Sequence, residues 1–391
     1  MTSPPRSVAI VGAGAIGLAT ALELHRRGFR VHVVEAGVPP HPDASSTDIS
    51  KAVRMDYGTD EFYTRLGERA IGGWRAWNAA FAEDVYHEVG FLLLTREPLR
   101  DGTFEGDSFA VLSRLGHRLV RLDERTIEDR FPAWARAGHV DGYFNPTAGF
   151  ASSGRAVALL ARQAIAVGVD LRTRAPFARL VERGSRVIGI ECTGGERVDA
   201  DDVVVAAGAW TPSLLPTLAG VLHATAQPVV HFRPLAPERF LAPSFPVWGA
   251  DIARTGWYGF PLTEHVVKIG NHGPGRRADP SGPRAVDSAT IDRFREFVRT
   301  TLPDLADAPV VASRICFYCD TPDGDFWIDR DPDRPGLVVA AGGSGHAFKF
   351  APVLGPIVAD VVEGRPNEDA RRFAWRTPSA AQREQARHSG G

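Results

Sequence analysis

A glycine-rich turn near the start of the chain has the spacing of a phosphate-binding turn. It follows the apolar run 7–11 and comprises Gly12, Ala13, Gly14, Ala15, Ile16 and Gly17. The first glycine permits a tight bend, the second lets backbone approach a pyrophosphate, and the third lets a helix pack closely on a strand. Phosphates then lie at a helix N-terminus, where free N–H groups and the helix dipole favour negative charge.

An acidic residue completes this unit. Glu35 ends the next apolar run, 31–34, near the offset at which an acid binds ribose hydroxyls, and Ala36 follows it. The order strand, turn, helix, strand and acid predicts dinucleotide binding. An acid here disfavours a 2′-phosphate but does not distinguish FAD from NAD. A purely structural β-α turn without a ligand is the alternative.

Lysine is rare in this chain, which makes its positions informative. Lys and Arg total 45, and the lysines are Lys51, Lys268 and Lys349. A lysine ammonium is compact and can lose its proton when buried, whereas a guanidinium stays charged. The lysines are therefore candidates for chemistry that arginine cannot perform, although three positions can also arise by chance.

The cysteines predict neither a disulfide framework nor a metal site. Cys316 and Cys319 form a C-x-x-C pair, and the third cysteine, Cys192, lies far from them in the sequence. A zinc site would need a second pair of ligands. If Cys316 and Cys319 share a strand, an offset of three places them on opposite faces, which disfavours a redox pair. We therefore predict no metal.

The elements around these residues predict an α/β protein. A strand over 7–11, a helix from Gly17 to about Arg27 and a strand over 31–34 form a β-α-β unit. Further helices are predicted over 61–80, 151–168, 287–301 and 352–362. Further strands are predicted over 91–94 and 266–269, and within the runs 203–210 and 336–343, each of which ends in a glycine turn.

Nucleotide-domain patterns occur in three separated places, because the runs near 203 and 337 also lead from an apolar strand into a glycine turn. We predict a Rossmann-type domain with a central parallel sheet, assembled from residues 1–54, 146–214 and 330–391. The intervening residues 55–145 and 215–329 are predicted to form a β-rich α+β substrate domain.

Composition and charge exclude several classes of function. The formal net charge is −2, which does not favour nucleic acid or an anionic membrane surface. Apolar runs fall short of a membrane span, so no membrane contact is expected. The first residues lack the charged region, apolar core and cleavage site of a signal peptide. We expect a cytoplasmic protein, in agreement with the few cysteines.

Four stretches carry a resemblance to a known family. They are Ser45–Arg54, Tyr258–His272, Cys316–Asp329 and Gly342–Phe350, with the small-residue turn 206–211 beside them. Together they resemble the D-amino-acid-oxidase superfamily, and within it the group of monomeric sarcosine, N-methyltryptophan, pipecolate and fructosyl-amine oxidases. The resemblance implies FAD rather than NAD, a two-domain fold and a monomer.

The resemblance also implies which residues contact FAD. Besides the glycine turn, Glu35 and Ala36, they are Ser45, Ser46, Lys51, Ala207, Gly208, Trp210, Cys316, Gly343, Gly345, His346 and Lys349. Among these, Cys316 matches the cysteine that forms a thioether to the 8α carbon of the flavin in the family. Covalent attachment through Cys316 is therefore expected.

Six residues match catalytic positions of the family. Arg54 and Lys349 match the pair that binds the substrate carboxylate, for which the donor fork of a guanidinium is suited. Lys268 matches the lysine that activates O2, because a cation beside the flavin stabilises superoxide as it forms. The remaining matches, to residues of the substrate pocket, are Tyr258, His272 and Tyr318.

These matches imply a FAD-dependent oxidase of a small amine or amino acid. A hydride passes from the substrate Cα–H to flavin N5, an imine forms, and O2 reoxidises the flavin to give H2O2. Thr47, Asp48 and Lys51 depart from the sarcosine group and are closer to fructosyl-amine oxidases, which suggests a secondary or cyclic amine other than sarcosine.

Other functions stay open at this point. The nearest is a FAD-dependent dehydrogenase that passes electrons to an acceptor other than O2. An NAD(P) enzyme with an unrelated second domain, or a flavoprotein subunit that only scaffolds a complex, would also carry the glycine turn. The joint occurrence of Arg54, Lys268 and Lys349 disfavours a scaffold.

Overall fold

The structure is a computed structural model that describes residues 5–135, 137–377 and 387. Residues 378–386 and 388–391, at the end of the predicted segment 330–391, lie outside the described residues. The helices are α1 (Ala15–Arg26), α2 (Glu61–Phe81), α3 (Phe104–Arg114), α4 (Glu124–Arg130), α5 (Ser153–Val167), α6 (Thr211–Leu214), α7 (Ile252–Thr255), α8 (Ser288–Thr301), α9 (Ala351–Glu363) and α10 (Glu368–Arg372).

The strands build four sheets within the described residues. They are β1 (Ser7–Val11), β2 (Arg30–Val34), β3 (Lys51–Val53), β4 (Tyr86–His87), β5 (Phe91–Thr95), β6 (Val120–Asp123), β7 (Asp141–Asn145), β8 (Gly149–Ala151), β9 (Asp170–Arg172), β10 (Phe177–Arg183), β11 (Arg186–Cys192), β12 (Arg197–Asp199), β13 (Asp202–Val205), β14 (His223–Phe232), β15 (Val247–Ala250), β16 (Trp257–Gly259), β17 (Val267–Asn271), β18 (Arg276–Arg277), β19 (Val310–Asp320), β20 (Trp327–Arg330) and β21 (Leu337–Ala341).

The first sheet has the predicted parallel core. Its strand order is β20-β21-β13-β1-β2-β9, and neighbours are parallel except β20, which is antiparallel to β21. Successive side chains of a strand point to opposite faces. Val8 and Ile10 of β1 therefore pack with helices α1, α5 and α9, while Ala9 and Val11 pack with the antiparallel sheet β10-β11-β12. This arrangement confirms the α/β class.

The second sheet is larger and mostly antiparallel. Its order is β18-β14-β17-β16-β15-β5-β7-β6, and β19 also pairs with β14. Of its pairs, β5–β15 is parallel. Helix α8 covers one face, where Phe294 and Val298 join an apolar cluster with Trp248 and Phe232. This sheet supplies the strands that carry several of the predicted site residues.

The two large sheets share the chain in alternating segments, and the domain boundaries stay a prediction. The parallel sheet also takes in β20, which lies mostly before the predicted boundary at residue 330. The small sheet β3-β8-β4 joins strands from both predicted domains.

Helix α1 begins at Ala15, two residues earlier than predicted, because Gly14 takes the extended N-cap position. Among the described helices, none has the length and apolarity that crossing a bilayer requires.

Candidate active site

A cavity of about 580 Å3 follows the carboxyl edge of four adjacent parallel strands. Residues at the ends of β1, β2, β13 and β21 line it, which is where ligands bind in open α/β sheets. Its lining includes the predicted cofactor residues Gly12, Gly14, Ala15, Ile16, Glu35, Ala36, Ser45, Ser46, Lys51, Ala207, Gly208, Trp210, Cys316, Gly343 and Gly345. Gly17, His346 and Lys349 lie elsewhere.

The glycine turn has the geometry that a bound phosphate needs. Gly12 has a φ of +104°, and a Cβ there would lie 2.7 Å from the carbonyl oxygen of Ala206. A Cβ on Gly17 would lie 2.0 Å from the carbonyl oxygen of Gly12, so this glycine serves packing. The N-cap residue of α1 is Gly14, which makes no side-chain hydrogen bond to the helix, so N–H groups at this helix end can face an anion.

Glu35, Ser45 and Ser46 form hydrogen bonds around the glycine turn. The Glu35 carboxylate accepts hydrogen bonds from the Ala13 N–H at 2.9 Å and the Gly37 N–H at 3.0 Å. Ser46 Oγ accepts from the Ala15 N–H at 3.4 Å, and Ser45 donates to the Phe317 carbonyl. A cradle of backbone N–H groups, small residues and one acid fits the adenosine and pyrophosphate parts of FAD.

A second cavity of about 100 Å3 adjoins the first and contains all six predicted catalytic residues. They are Arg54, Tyr258, Lys268, His272, Tyr318 and Lys349. His346, which was predicted to contact the cofactor, lies here as well. Lys51, Cys316 and Tyr318 line both cavities, so they mark the junction between them. We call this second space the inner cavity.

Lys268 is buried and held by three neighbours. Its Nζ donates to the carbonyl of Ser50 at 2.6 Å, lies 2.6 Å from the carboxylate of Asp48, and sits 4.8 Å from the centre of the Phe260 ring. Burial lowers the pKa of Lys268 to about 8, and the charge of Asp48 opposes this effect. The ammonium is therefore charged at neutral pH but close to losing its proton.

Arg54 and Lys349 both lie close to one aromatic ring. The Arg54 guanidinium is 5.1 Å from the centre of the Tyr57 ring, and Lys349 Nζ is 5.2 Å from the same centre. Arg54 also donates to the carbonyl of Asp56. Both cations are at least 94% buried, at 6% and 5% exposure. Two desolvated cations beside one cavity form a site for an anion.

A hydrogen-bonded chain fixes Lys349. Its Nζ donates to the Tyr57 hydroxyl at 2.8 Å and to the His346 carbonyl at 3.1 Å. His346 Nε2 lies 3.0 Å from the Gly324 carbonyl, which can only accept, so Nε2 carries a proton. In the neutral imidazole Nδ1 then accepts from the Tyr57 hydroxyl, at 3.0 Å.

The remaining predicted pocket residues, Tyr258, His272 and Tyr318, form a second polar cluster in the inner cavity. His272 Nδ1 lies 3.3 Å from the Tyr318 hydroxyl, and Tyr258 lines the same cavity. Burial raises the pKa of Tyr258 and of Tyr318 well above the usual value. Both phenols stay protonated in the neutral range and act as hydrogen-bond donors rather than bases.

The two cysteines of the C-x-x-C pair have different surroundings. Cys316 lines both cavities, whereas Cys319 lines only the first and packs in the apolar cluster that contains Val205 and Trp327. Burial raises the pKa of Cys319 to about 12, so its thiol stays protonated. All three cysteines of the chain are free thiols.

Sequence reasoning missed several residues of the inner cavity and its surroundings. Asp48 was noted only as a departure from a pattern, yet its carboxylate is buried against Lys268. Asp56 and Tyr57, near Arg54, were given no role. Asp56 is fully buried, accepts a hydrogen bond from Tyr143 at 2.7 Å, and has its pKa raised by burial. They flank the short strand β3, and a carboxylate next to apolar residues was the available sign for Asp48 and Asp56.

Comparisons with known proteins agree with this geometry. A model of the DAO family, described as FAD dependent oxidoreductase, matches residues 7–361. N-methyl-L-tryptophan oxidase from Salmonella arizonae is 29% identical over 376 residues, which cover 93% of this chain and 96% of that protein. L-saccharopine oxidase from Schizosaccharomyces pombe is 28% identical over 414 residues, covering 95% and 93%.

A solved structure gives the same fold. Fructosamine oxidase (Amadoriase II) from Aspergillus fumigatus superimposes with a TM-score of 0.84 at 27% identity, covering all of this chain and 95% of that one. Sequence and structure thus match over nearly the whole chain, including both cavities. The chain belongs to the DAO family of FAD-dependent oxidoreductases.

Proposed function

We propose that this chain oxidises the C–N bond of a small secondary or cyclic α-amino acid, with O2 as the electron acceptor. The observation that carries the proposal is the inner cavity, which adjoins the dinucleotide cavity and is lined by two buried cations, Arg54 and Lys349. The relatives named above are oxidases, two of them of amino acids that bear a secondary amine.

Bound FAD would supply the hydride acceptor for this chemistry. The protein supplies binding, orientation and a dry site. Arg54 and Lys349 bind the substrate carboxylate, which orients the amine and its Cα–H bond. Phe260 and Trp248 form part of the apolar wall of the inner cavity, which excludes water. Tyr258 and Tyr318 stay protonated, so neither removes a proton, and the substrate amine must enter the reaction neutral.

We further propose that Cys316 attaches the flavin covalently. Its support is location, because Cys316 lines the dinucleotide cavity and the inner cavity together. The reactive end of the flavin would have to lie at that junction. Cys319, three residues later, lines the dinucleotide cavity but not the inner cavity and packs in the core, so it is a poor alternative.

Lys268 supports O2 as the acceptor rather than a quinone or protein partner. A buried ammonium at the inner cavity can stabilise the negative charge that develops when O2 takes up an electron. A dehydrogenase does not need this charge. We also propose a cytoplasmic location, on the support of three free cysteines, and a monomer, on the resemblance to the monomeric sarcosine oxidase group; sedimentation of the purified protein would test the monomer.

A panel of paired amines tests the proposal. Pipecolate, proline and N-methylalanine are each compared with the matched amine that lacks the carboxylate, such as piperidine for pipecolate. We expect at least one amino acid to bleach the visible flavin absorbance without O2 and to release peroxide with O2, while its decarboxylated partner is far weaker. Bleaching without peroxide would indicate a dehydrogenase. No bleaching by any amine would refute amine oxidation.

A further inference from the structure

A buried carboxylate faces the lysine to which we assign the reaction with O2. The Oδ2 atom of Asp48 lies 2.6 Å from Lys268 Nζ, and each side chain is only 3% exposed. Breaking a buried pair by removing one partner leaves an uncompensated charge, so the two groups depend on each other. The role proposed above for Lys268 does not by itself require such a partner.

Asp48 is anchored independently of Lys268. Its main-chain carbonyl accepts hydrogen bonds from the Gly154 N–H at 2.9 Å and from Ser153 Oγ at 2.8 Å, at the N-terminus of α5. Its Oδ1 accepts from the Ile49 N–H at 2.8 Å. Lys268, in contrast, belongs to β17 of the large sheet. The ion pair therefore joins the loop beside the cofactor cavity to the second sheet.

We propose that Asp48 is a positioning residue for Lys268, which it holds in place and keeps protonated at the inner cavity. This inference rests on the proposed function, because it assumes that a charged Lys268 promotes the reaction with O2. It assigns a purpose to a residue that neither carboxylate binding nor hydride transfer uses.

The other groups around the pair cannot substitute for Asp48. His231 lies opposite Lys268 in the sheet, with its Nε2 3.8 Å from Asp48 Oδ1, and burial lowers the pKa of His231 to about 4. It is therefore neutral at pH 7. Lys51 adds a like charge that lowers the pKa of Lys268, as burial does. Of the groups that raise it, Asp48 acts more strongly than Cys316.

The direction of the effect follows from these charges. Lys268 is protonated below its pKa of about 8 and neutral above it. Without the carboxylate, burial and Lys51 outweigh the weaker effect of Cys316, and we expect the pKa of Lys268 to fall by about one pH unit or more. At about pH 8 the protonated fraction would then fall from about one half to about one tenth, which is roughly a fivefold loss of the charged form.

The scarcity of lysine allows a direct measurement. Holoenzyme grown with lysine carbon-13 labelled at Cε gives signals from three lysines, and Lys268→Met identifies one of them by its loss. We expect the Lys268 signal to titrate near pH 8 in the wild type and about one pH unit lower, or more, in Asp48→Asn. Asp48→Glu keeps the charge and should titrate near the wild type. An unchanged titration in Asp48→Asn would overturn the proposal.

A kinetic cycle provides the second readout. Each holoenzyme is reduced with dithionite, so that no amine substrate is needed, and is then mixed with O2. Asp48→Asn should slow this reaction about fivefold at about pH 8 and have no effect in a Lys268→Met background. An equal effect in both backgrounds would mean that Asp48 does not act through Lys268. A wild type that does not react with O2 would refute the oxidase function, while the lysine titration would still decide the pairing.

Discussion

Two single-methyl substitutions in the glycine turn should separate FAD binding from folding. Gly14 has φ of −76° and ψ of −176°, which alanine adopts without strain, and a Cβ there would contact only Ser46 Oγ, at 3.1 Å. Gly14→Ala should therefore change the stability of the FAD-free protein by less than about 1 kcal/mol. The new methyl group would occupy space beside the cavity that we assign to the pyrophosphate.

The expected loss of FAD affinity follows from the phosphate contacts. A methyl group that keeps the pyrophosphate from the N–H groups of α1 removes at least one charge-assisted hydrogen bond, worth about 1.5–3 kcal/mol. This corresponds to roughly 10- to 150-fold weaker binding of FAD. Gly17→Ala is the matched control, because its Cβ would lie 2.0 Å from the Gly12 carbonyl oxygen, and backbone must move to relieve the clash. It should lower the stability of the FAD-free protein as well.

The assay measures both quantities in one background. Cys316→Ser protein is freed of flavin, its thermal unfolding is recorded, and FAD is added back while the quenching of flavin fluorescence is followed. Gly14→Ala that binds FAD as tightly as its parent would refute the assignment of the pyrophosphate to this turn. Gly14→Ala that loses as much stability as Gly17→Ala would refute the argument from local geometry.

Four further outcomes test the proposed site. Cys316→Ser should release FAD on acid precipitation, whereas the wild type should retain it; release from both would contradict attachment through this thiol. Lys268→Met should leave anaerobic reduction by substrate nearly unchanged and slow the reaction with O2 about 100-fold in stopped flow, and an unchanged O2 rate would exclude this role. Arg54→Met and Lys349→Met should each raise KM for carboxylated amines roughly 30- to 1,000-fold, the loss of about 2–4 kcal/mol of buried charge pairing, but not KM for amines without a carboxylate. The reaction with O2 should slow as pH rises through about 8, because Lys268 loses its proton there; a rate that is constant from pH 7 to about 9 would contradict this.

The parallel core of the fold could be predicted because its pattern is local. The runs 7–11, 203–205 and 337–341 are apolar, and each leads into a turn rich in small residues, which is typical of buried parallel strands. Their adjacency in the sheet confirms that the α/β class was correct. The antiparallel sheet β10-β11-β12 on one face was not predicted, since its strands are partly exposed and charged and no glycine motif marks them.

The partners of the predicted site residues could not be predicted, because they depend on contacts between distant segments. Nothing in the spacing of Asp48 and Lys268 indicates that 2.6 Å separates their charged atoms across two parts of the molecule. The same holds for Lys349 and Tyr57, which are 292 positions apart in the sequence and hydrogen-bonded. Matching motifs located single side chains, whereas their charge states depend on burial that only the folded chain defines.

The distribution of lysine connects the amino-acid composition with the folded site. The chain has 45 basic residues, and its three lysines, Lys51, Lys268 and Lys349, all line the inner cavity. On the surface a guanidinium and an ammonium do similar work, so arginine can replace lysine there at little cost. At the inner cavity a compact ammonium fits a space of about 100 Å3, and burial can lower its pKa, as it does for Lys268. A guanidinium would stay charged there and would need partners for its five N–H donors. Lysine therefore persists in this chain at the inner cavity, where a compact cation fits and where, at Lys268, a lowered pKa is available.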